Sequence, residues 1–343
     1  MNAILTLLWP IIASVSQFFG IRRDKSDFFS TRYTNVLKGL ACIIVFMVHV
    51  PMARRNPMQD AIGSFAYVCV TFFFLVSAYG MLYSADHRQD YLRQFWRGRL
   101  LSLLVPALLL NIVFWLYGGI GLSEWSVQGL LFVNDYILVL LEWCLLFYLV
   151  KRAQRRWFPT NDKLSDALLA GGVFLSSIVF YWVPSDTLRS GLWSHERMGL
   201  VWGLLLYRNL ASVRGFLERH QRVTLFILAP LALVLGVGYL KYKAVFFWGE
   251  YLLKVVLGVV LLALLFSATF GLKIGDNKVS RWLGSISYEV YLGHAILMNI
   301  LNTLIPASIP SGQFICLACT LMVILASLVH PIAKTIIDKT RNK

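Results

Sequence analysis

The chain has 343 residues, 58% of them hydrophobic and 14% charged, with a net charge of +15. A soluble domain of this size carries about 25% charged residues, so the composition excludes an ordinary soluble globular protein. The Lys and Arg residues punctuate long apolar runs instead of gathering on one soluble face. That excludes a nucleic-acid-binding domain, and no nucleic-acid partner is expected. All five cysteines lie in apolar runs, which excludes a secreted disulfide framework.

The first apolar run, residues 4–19, is short, contains Pro10 and has no basic residues before it. It lacks the features of a cleavable signal peptide and reads as an interfacial helix, the alternative being an additional span. Later runs approach the roughly 20 residues that a bilayer core of about 30 Å demands. They predict spans at Asn35–Val50, Ala61–Tyr83, Leu100–Tyr117, Gly129–Val150, Leu164–Val183, Glu196–Tyr207, Val223–Leu240, Glu250–Phe270, Gly284–Ile305 and Gly312–Ala333. Of the 32 Lys and Arg residues, 25 fall in residues 20–38, 84–99, 151–163, 208–222, 271–283 and 334–343. The other seven are Arg54, Arg55, Arg189, Arg197, Lys241, Lys243 and Lys254. The positive-inside rule places the first set in the cytoplasm. The expected fold is therefore an all-α polytopic transmembrane helix bundle of about ten spans with both termini cytoplasmic. Residues 1–30 form a cytoplasmic or interfacial N-terminal segment, 31–333 the transmembrane domain and 334–343 a short tail.

An ionisable group inside a span is costly, so each is a functional candidate. The set is His49, Asp135, Glu142, Glu289, His294 and His330. Lys38 precedes His49 by 11 residues, almost three helical turns, so the two project from nearly one face, roughly 16 Å apart along the axis. Asn35 and Cys42 share that stripe. A cation near the cytoplasmic surface with an imidazole further in suits an anionic donor arriving from the cytoplasm, and neutral imidazole serves as a general base. The competing reading is a buried histidine bonded to a neighbouring helix. In residues 283–296, LGSISYEVYLGHAI, Ser287, Tyr291 and His294 share one face. They either bind hydroxyls and move protons or act as polar glue between helices. Ser77, Ala78 and Gly80 end an aromatic-rich stretch, and Arg93, Arg97 and Arg99 precede the third span. Those arginines either bind phosphates or set topology and contact anionic lipids. Asp135 and Glu142 lie seven apart, on one face. No G-x-S-x-G elbow, Walker A motif or H-x4-D pattern occurs. Cys316 and Cys319 supply too few ligands for a zinc site, so no metal is expected, and Gly199 and Gly203 predict a helix contact.

Taken in order, these segments resemble membrane acyltransferase family 3, the bacterial carbohydrate O-acetyltransferases. A basic residue, ten residues and a histidine correspond to Lys38 and His49, with Lys where the family usually has Arg. The F-F-x-x-S-G-[FY] segment corresponds to Phe73, Phe74, Ser77, Ala78 and Tyr79, with Ala78 for the usual Gly. A basic stretch ending at proline corresponds to Arg97, Arg99 and Pro106. The S-Y-x-x-Y-L-x-H signature is Ser287, Tyr288, Tyr291, Leu292 and His294. Glu142 resembles the glutamate of the family's W-x-L-x-x-E segment, without its tryptophan. The resemblance covers residues 30 to 333 and implies a multi-pass protein of the bacterial inner membrane. It also implies acetyl-CoA as acyl donor on the cytoplasmic side and a carbohydrate or lipid-linked glycan as acceptor. Some members carry a fused SGNH hydrolase-like domain, so the chain is expected to act alone or with a separate periplasmic transferase. Its expected partners are otherwise membrane lipids and the glycan. On this reading His49, His294 and Glu142 are catalytic, Lys38, Arg97 and Arg99 hold the donor, and Ser287, Tyr288, Tyr291 and Ser77 orient substrate. The rival readings are a glycolipid or small-solute transporter, against which no inverted halves are visible, and a non-catalytic assembly scaffold.

Overall fold

The computed structural model describes residues 2–121, 134–182 and 193–341. In chain order the helices are α1 (Asn2–Phe18), α2 (Thr31–Val48), α3 (Pro57–Gly63), α4 (Ala66–His87), α5 (Phe95–Gly121) and α6 (Asp135–Trp157). They continue with α7 (Asp162–Trp182), α8 (Met198–Tyr242), α9 (Leu253–Thr269), α10 (Lys278–Leu304) and α11 (Ser311–Arg341). One short antiparallel pair, β1 (Arg22–Arg23) with β2 (Leu272–Lys273), joins two connecting segments. Residues 129–133 of the fourth expected span and Val183 of the fifth lie outside the described residues.

Among the described residues seven stretches are long and apolar enough to cross a membrane: Thr31–Val48, Pro57–His87, Phe95–Leu116, Asp162–Trp182, Met198–Tyr242, Trp248–Thr269 and Ser311–Arg341. α6 and α10, where spans were also expected, carry more polar residues and fall outside that set. The fold is an all-α membrane architecture, and its helices divide between two compact units.

The first unit comprises residues 1–69, 97–134 and 271–343. Its starts are written in capping side chains. Ser30 accepts a hydrogen bond from Tyr33 N, Asn56 from Gln59 N and Asn277 from Ser280 N, each satisfying a donor at a helix start. α2 and α10 pack backbone against backbone at Gly39 and Gly284. A Cβ on Gly39 would lie 2.7 Å from Gly284 N, and one on Gly284 would strike the main-chain oxygen of Asn35. Between helices in lipid, association rests on such close packing and not on a hydrophobic drive. At the far end of α10 the buried Arg54 donates to Asn302 Oδ1 (3.2 Å), Ile305 O (2.6 Å), Pro306 O (3.1 Å) and Ile309 O (3.2 Å). Its guanidinium sits 4.9 Å from the Phe314 ring centroid. One side chain thereby binds the C-cap carbonyl of α10 and two carbonyls of the connection that follows it.

α1 lies lengthwise in this unit. Asn2 Oδ1 accepts from Gly312 N, Trp9 Nε1 donates to Thr320 Oγ1 (2.9 Å), and Ser16 Oγ meets Ser280 Oγ (2.9 Å). The first two contacts advance together along α1 and α11, and the third joins the end of α1 to the start of α10. This packing makes α1 part of the helix bundle of the first unit. It sets residue 2 at the Arg54 end and residue 18 near the β1–β2 pair.

The second unit comprises residues 70–96 and 135–270. The predicted contact at Gly199 and Gly203 is present. A Cβ at either would meet a main-chain oxygen of α4, that of Thr71 or of Leu75. The expected cytoplasmic loop at 208–222 is helical instead. α8 runs through it with one non-helical residue, Asn209 (φ −113°, ψ 15°). Residues 202–206 and 212–224 line one apolar cavity of about 480 Å³ together with residues 259–267 of α9. That stretch of α9 spans only about 12 Å, so the two arms of α8 bend towards each other at Asn209. The sixth and seventh expected spans are these two arms, and the loop drawn between them is a helical bend.

Two outcomes follow. Gly284→Ala is expected to lower stability by about 1–3 kcal/mol, as overpacking does, read as a lower thermal midpoint of the purified protein in detergent. A cysteine at Ala3 is expected to react with a membrane-impermeant maleimide from the same side as one at Arg55, and from the side opposite one at Arg22.

Candidate active site

Gly39 and Gly284 are each followed ten residues later by a histidine, His49 on α2 and His294 on α10. The helices run in the same direction from their contact, so equal offsets bring the two rings to one level, about 15 Å further along. His294 Nε2 lies 2.8 Å from His49 Nδ1, and the rings cross edge to face with centroids 4.4 Å apart. His294 Nδ1 lies 2.6 Å from Tyr291 O, and His49 Nδ1 lies 3.2 Å from Val45 O.

These distances assign the protons when both rings are neutral. Tyr291 O accepts only, so the hydrogen of His294 is on Nδ1 and its Nε2 carries a lone pair. That lone pair accepts from His49 Nδ1–H, which Val45 O also faces. The lone pair of His49 is then on Nε2, away from both partners. A carbonyl, a buried histidine and a second histidine thus form a relay that orients an imidazole base. His294 is 4% exposed, whereas His49 is partly open. His49 caps α2 with φ −95° and ψ 7°, in the sparsely populated bridge region where active-site residues often sit.

The other expected residues of the first unit fall along the same two helices. Lys38 adjoins the glycine contact, and its Nζ lies 3.4 Å from Asn35 Oδ1. Among the described residues it pairs with no carboxylate, and Arg99 is close enough for the two positive charges to repel. Two cations held near each other suit an anion. Arg97 is exposed and donates to Thr340 O at the end of α11. Tyr288 Oη donates to Leu103 O on α5 (3.0 Å), and Ser287 Oγ to Gly284 O within its own helix (2.9 Å). Tyr291 is buried, with its ring centroid 5.8 Å from that of His294.

In the same unit His330 Nδ1 lies 2.9 Å from Glu289 Oε1. Glu289 is 3% exposed, and among the described residues its other carboxylate oxygen has no hydrogen-bond partner. Cys42 and Cys319 are buried, as small packing residues are.

Glu142 and Ser77 belong to the second unit. Ser77 Oγ donates to Phe73 O (2.8 Å), and Tyr136 hydrogen-bonds to the same hydroxyl. Both oxygens of Glu142 accept from Arg197 Nη1 at 3.1 Å. Arg197 had counted only as one of seven cations outside the cytoplasmic set. It is fully buried, and the signal that points to it is its place in His195-Glu196-Arg197, three ionisable residues at the mouth of an apolar run.

A family model described as an acyltransferase domain matches residues 31–330, from the first residue of α2 to the histidine that pairs with Glu289. No curated protein and no solved structure matches the chain. The match covers most of the chain and encloses His49, His294 and the helices that carry them, and the chain belongs to the acyltransferase family 3 of membrane enzymes.

Proposed function

We propose that this membrane acyltransferase moves an acetyl group from acetyl-CoA to a hydroxyl of a cell-surface or lipid-linked glycan, in the inner membrane of a bacterium. The observation that carries this reading is the hydrogen-bonded pair His49–His294 (2.8 Å), which leaves His49 Nε2 as an oriented lone pair. Acyl transfer from a thioester to an alcohol requires removal of the hydroxyl proton and its delivery to the departing thiolate. One imidazole nitrogen performs both steps. Nε2 takes the proton as the acceptor oxygen attacks the acyl carbon. The resulting imidazolium keeps its bond to His294 and returns the proton to sulfur as the carbon–sulfur bond breaks. The same lone pair also suits a transient acyl-histidine, and the geometry serves both routes.

The donor's phosphates are proposed to rest on Lys38 and Arg99 at the cytoplasmic end, with Arg97 at the rim. Tyr288 and Tyr291 hold α10 and the His294 ring in place, and Ser287 lies on the same helix between the cations and the histidines. Glu142 acts through Arg197, and Ser77 fixes Tyr136. Nothing in the fold or the comparisons favours a transporter.

The test is transfer of labelled acetyl from acetyl-CoA to glycan acceptors by purified protein. His49→Ala is expected to lower the rate by about 10²–10⁴-fold, the usual contribution of a positioned base, at unchanged membrane abundance. His294→Phe removes the relay but keeps the ring volume, and is expected to lower kcat while leaving the KM for acetyl-CoA near its original value. Full activity in His49→Ala would overturn the assignment.

A further inference from the structure

The second unit holds a buried polar cluster around the Glu142–Arg197 pair, several of whose groups have no part in the proposed reaction. It is built where the last turns of α7, the first turns of α8 and α9, and the second turn of α6 converge. Arg197, 1% exposed, donates to Glu142 and to Ser176 Oγ (3.0 Å) and lies over the Phe180 ring at 4.3 Å. Its Nε donates to Trp193 O (3.3 Å). Beside it His195 Nε2 lies 2.8 Å from Glu196 Oε1, and the Trp193 and Tyr136 rings cross at 83°. Ser177 Oγ lies 2.5 Å from Ser194 O and 2.7 Å from Tyr251 Oη. Lys254 and Tyr239 both lie within electrostatic reach of Glu196.

Packing alone leaves this cluster incomplete. Glu196 is 6% exposed, yet among the described residues its Oε2 has no hydrogen-bond partner, and neither has the buried Trp193 Nε1. Each such orphan costs about 1–3 kcal/mol. Trp193 also holds φ at +59°, uncommon for so large a side chain. Meanwhile Glu142, two turns inside α6, keeps 40% of its side chain exposed, so there is open space beside Arg197.

We propose that this cluster is the subsite for a neutral sugar ring of the acceptor, resting on the glycan reading given above. An orphan carboxylate oxygen accepts from one sugar hydroxyl and an orphan indole N–H donates to its neighbour. The tryptophan face packs on the ring's C–H groups. Glu142, Glu196 and Glu250 offset Arg197 and Lys254, so the cluster carries no positive excess that would select an anion. The cluster also lies at the end of the unit opposite Arg208, Asp86 and Asp166. By the Lys and Arg distribution that end faces away from the cytoplasm, the side on which a surface glycan is met.

The experiment measures binding of methyl glucoside, galactoside and mannoside to the full-length protein in detergent by saturation-transfer NMR, without donor. At least one glycoside is expected to bind the unmodified protein. Its affinity is expected to fall about tenfold in Glu196→Gln, which keeps the shape, and in Trp193→Phe, which keeps a ring but loses the N–H. Retention of labelled acetyl-CoA should be unchanged in both. Equal glycoside affinity in the variants, no binding of any glycoside, or displacement of the signal by sulfate would each overturn the proposal. If Glu196→Gln fails to fold, Trp193→Phe alone decides it. Because no donor is present, the outcome is independent of whether acetyl-CoA is the acyl source, which the transfer assay decides.

Discussion

The contact on which the first unit depends is the approach of α2 to α10 at Gly39 and Gly284, where no side chain separates the two backbones. Water-driven burial does not hold helices together in lipid, so close contact and interhelical hydrogen bonds must. This contact also works as a ruler. Two helices that touch at one residue each and run in the same direction stay level when followed equally far, and ten residues on lie His49 and His294. One residue before the contact stands Lys38. Cation and imidazole pair are therefore held by the same glycine contact, and a shift of one helix along the other would separate the histidines.

Polar groups inside the helices settle into pairs, for an energetic reason. An isolated ionisable group in a span costs several kcal/mol. His49 meets His294, Glu289 meets His330, and Glu142 meets Arg197. The pairs differ in kind. A carboxylate beside Arg197 compensates charge, so its removal would strand a buried cation. Two imidazoles ending on a main-chain carbonyl compensate no charge. They hand a hydrogen bond along a line and leave one lone pair unused at its end. That asymmetry separates the histidine pair, which under the proposed reading moves a proton, from the two carboxylate pairs, which tie separate stretches of the chain together.

Much of this was legible because helical spacing is a local property. The stripe from Asn35 through Lys38 and Cys42 to His49, and the face carrying Ser287, Tyr291 and His294, follow from counting residues. So did the helix contact at Gly199 and Gly203. Which stripe faces which is not local, and only the packing of α2 on α10 joined the two histidines. Arg197 was hidden by its position just ahead of an apolar run, where a cation reads as a topology signal. Residues 208–222 read as a loop because their arginines break the apolar run, but a basic amphipathic segment satisfies its backbone as a helix as well as any apolar one. Residues 4–19 were ambiguous on length alone. Trp9 and Asn2 find their partners more than 300 positions away, on α11.

The separation between the cations and the base bears on the kind of donor this site serves. Lys38 and His49 lie roughly 16 Å apart along α2. A small acyl phosphate carries its charge within a few ångströms of its acyl carbon. Seated on Lys38 and Arg99, it would hold that carbon far from Nε2; seated at His49, it would leave both of those cations behind. A donor whose charged head and acyl group are joined by a long, largely uncharged arm meets both demands at once, because the head stays with the cations while the arm reaches inward. Under the proposed reading acetyl-CoA is such a donor. On that reading the spacing of a lysine and a histidine on one helix acts as a length selector before any contact with the acyl group is made.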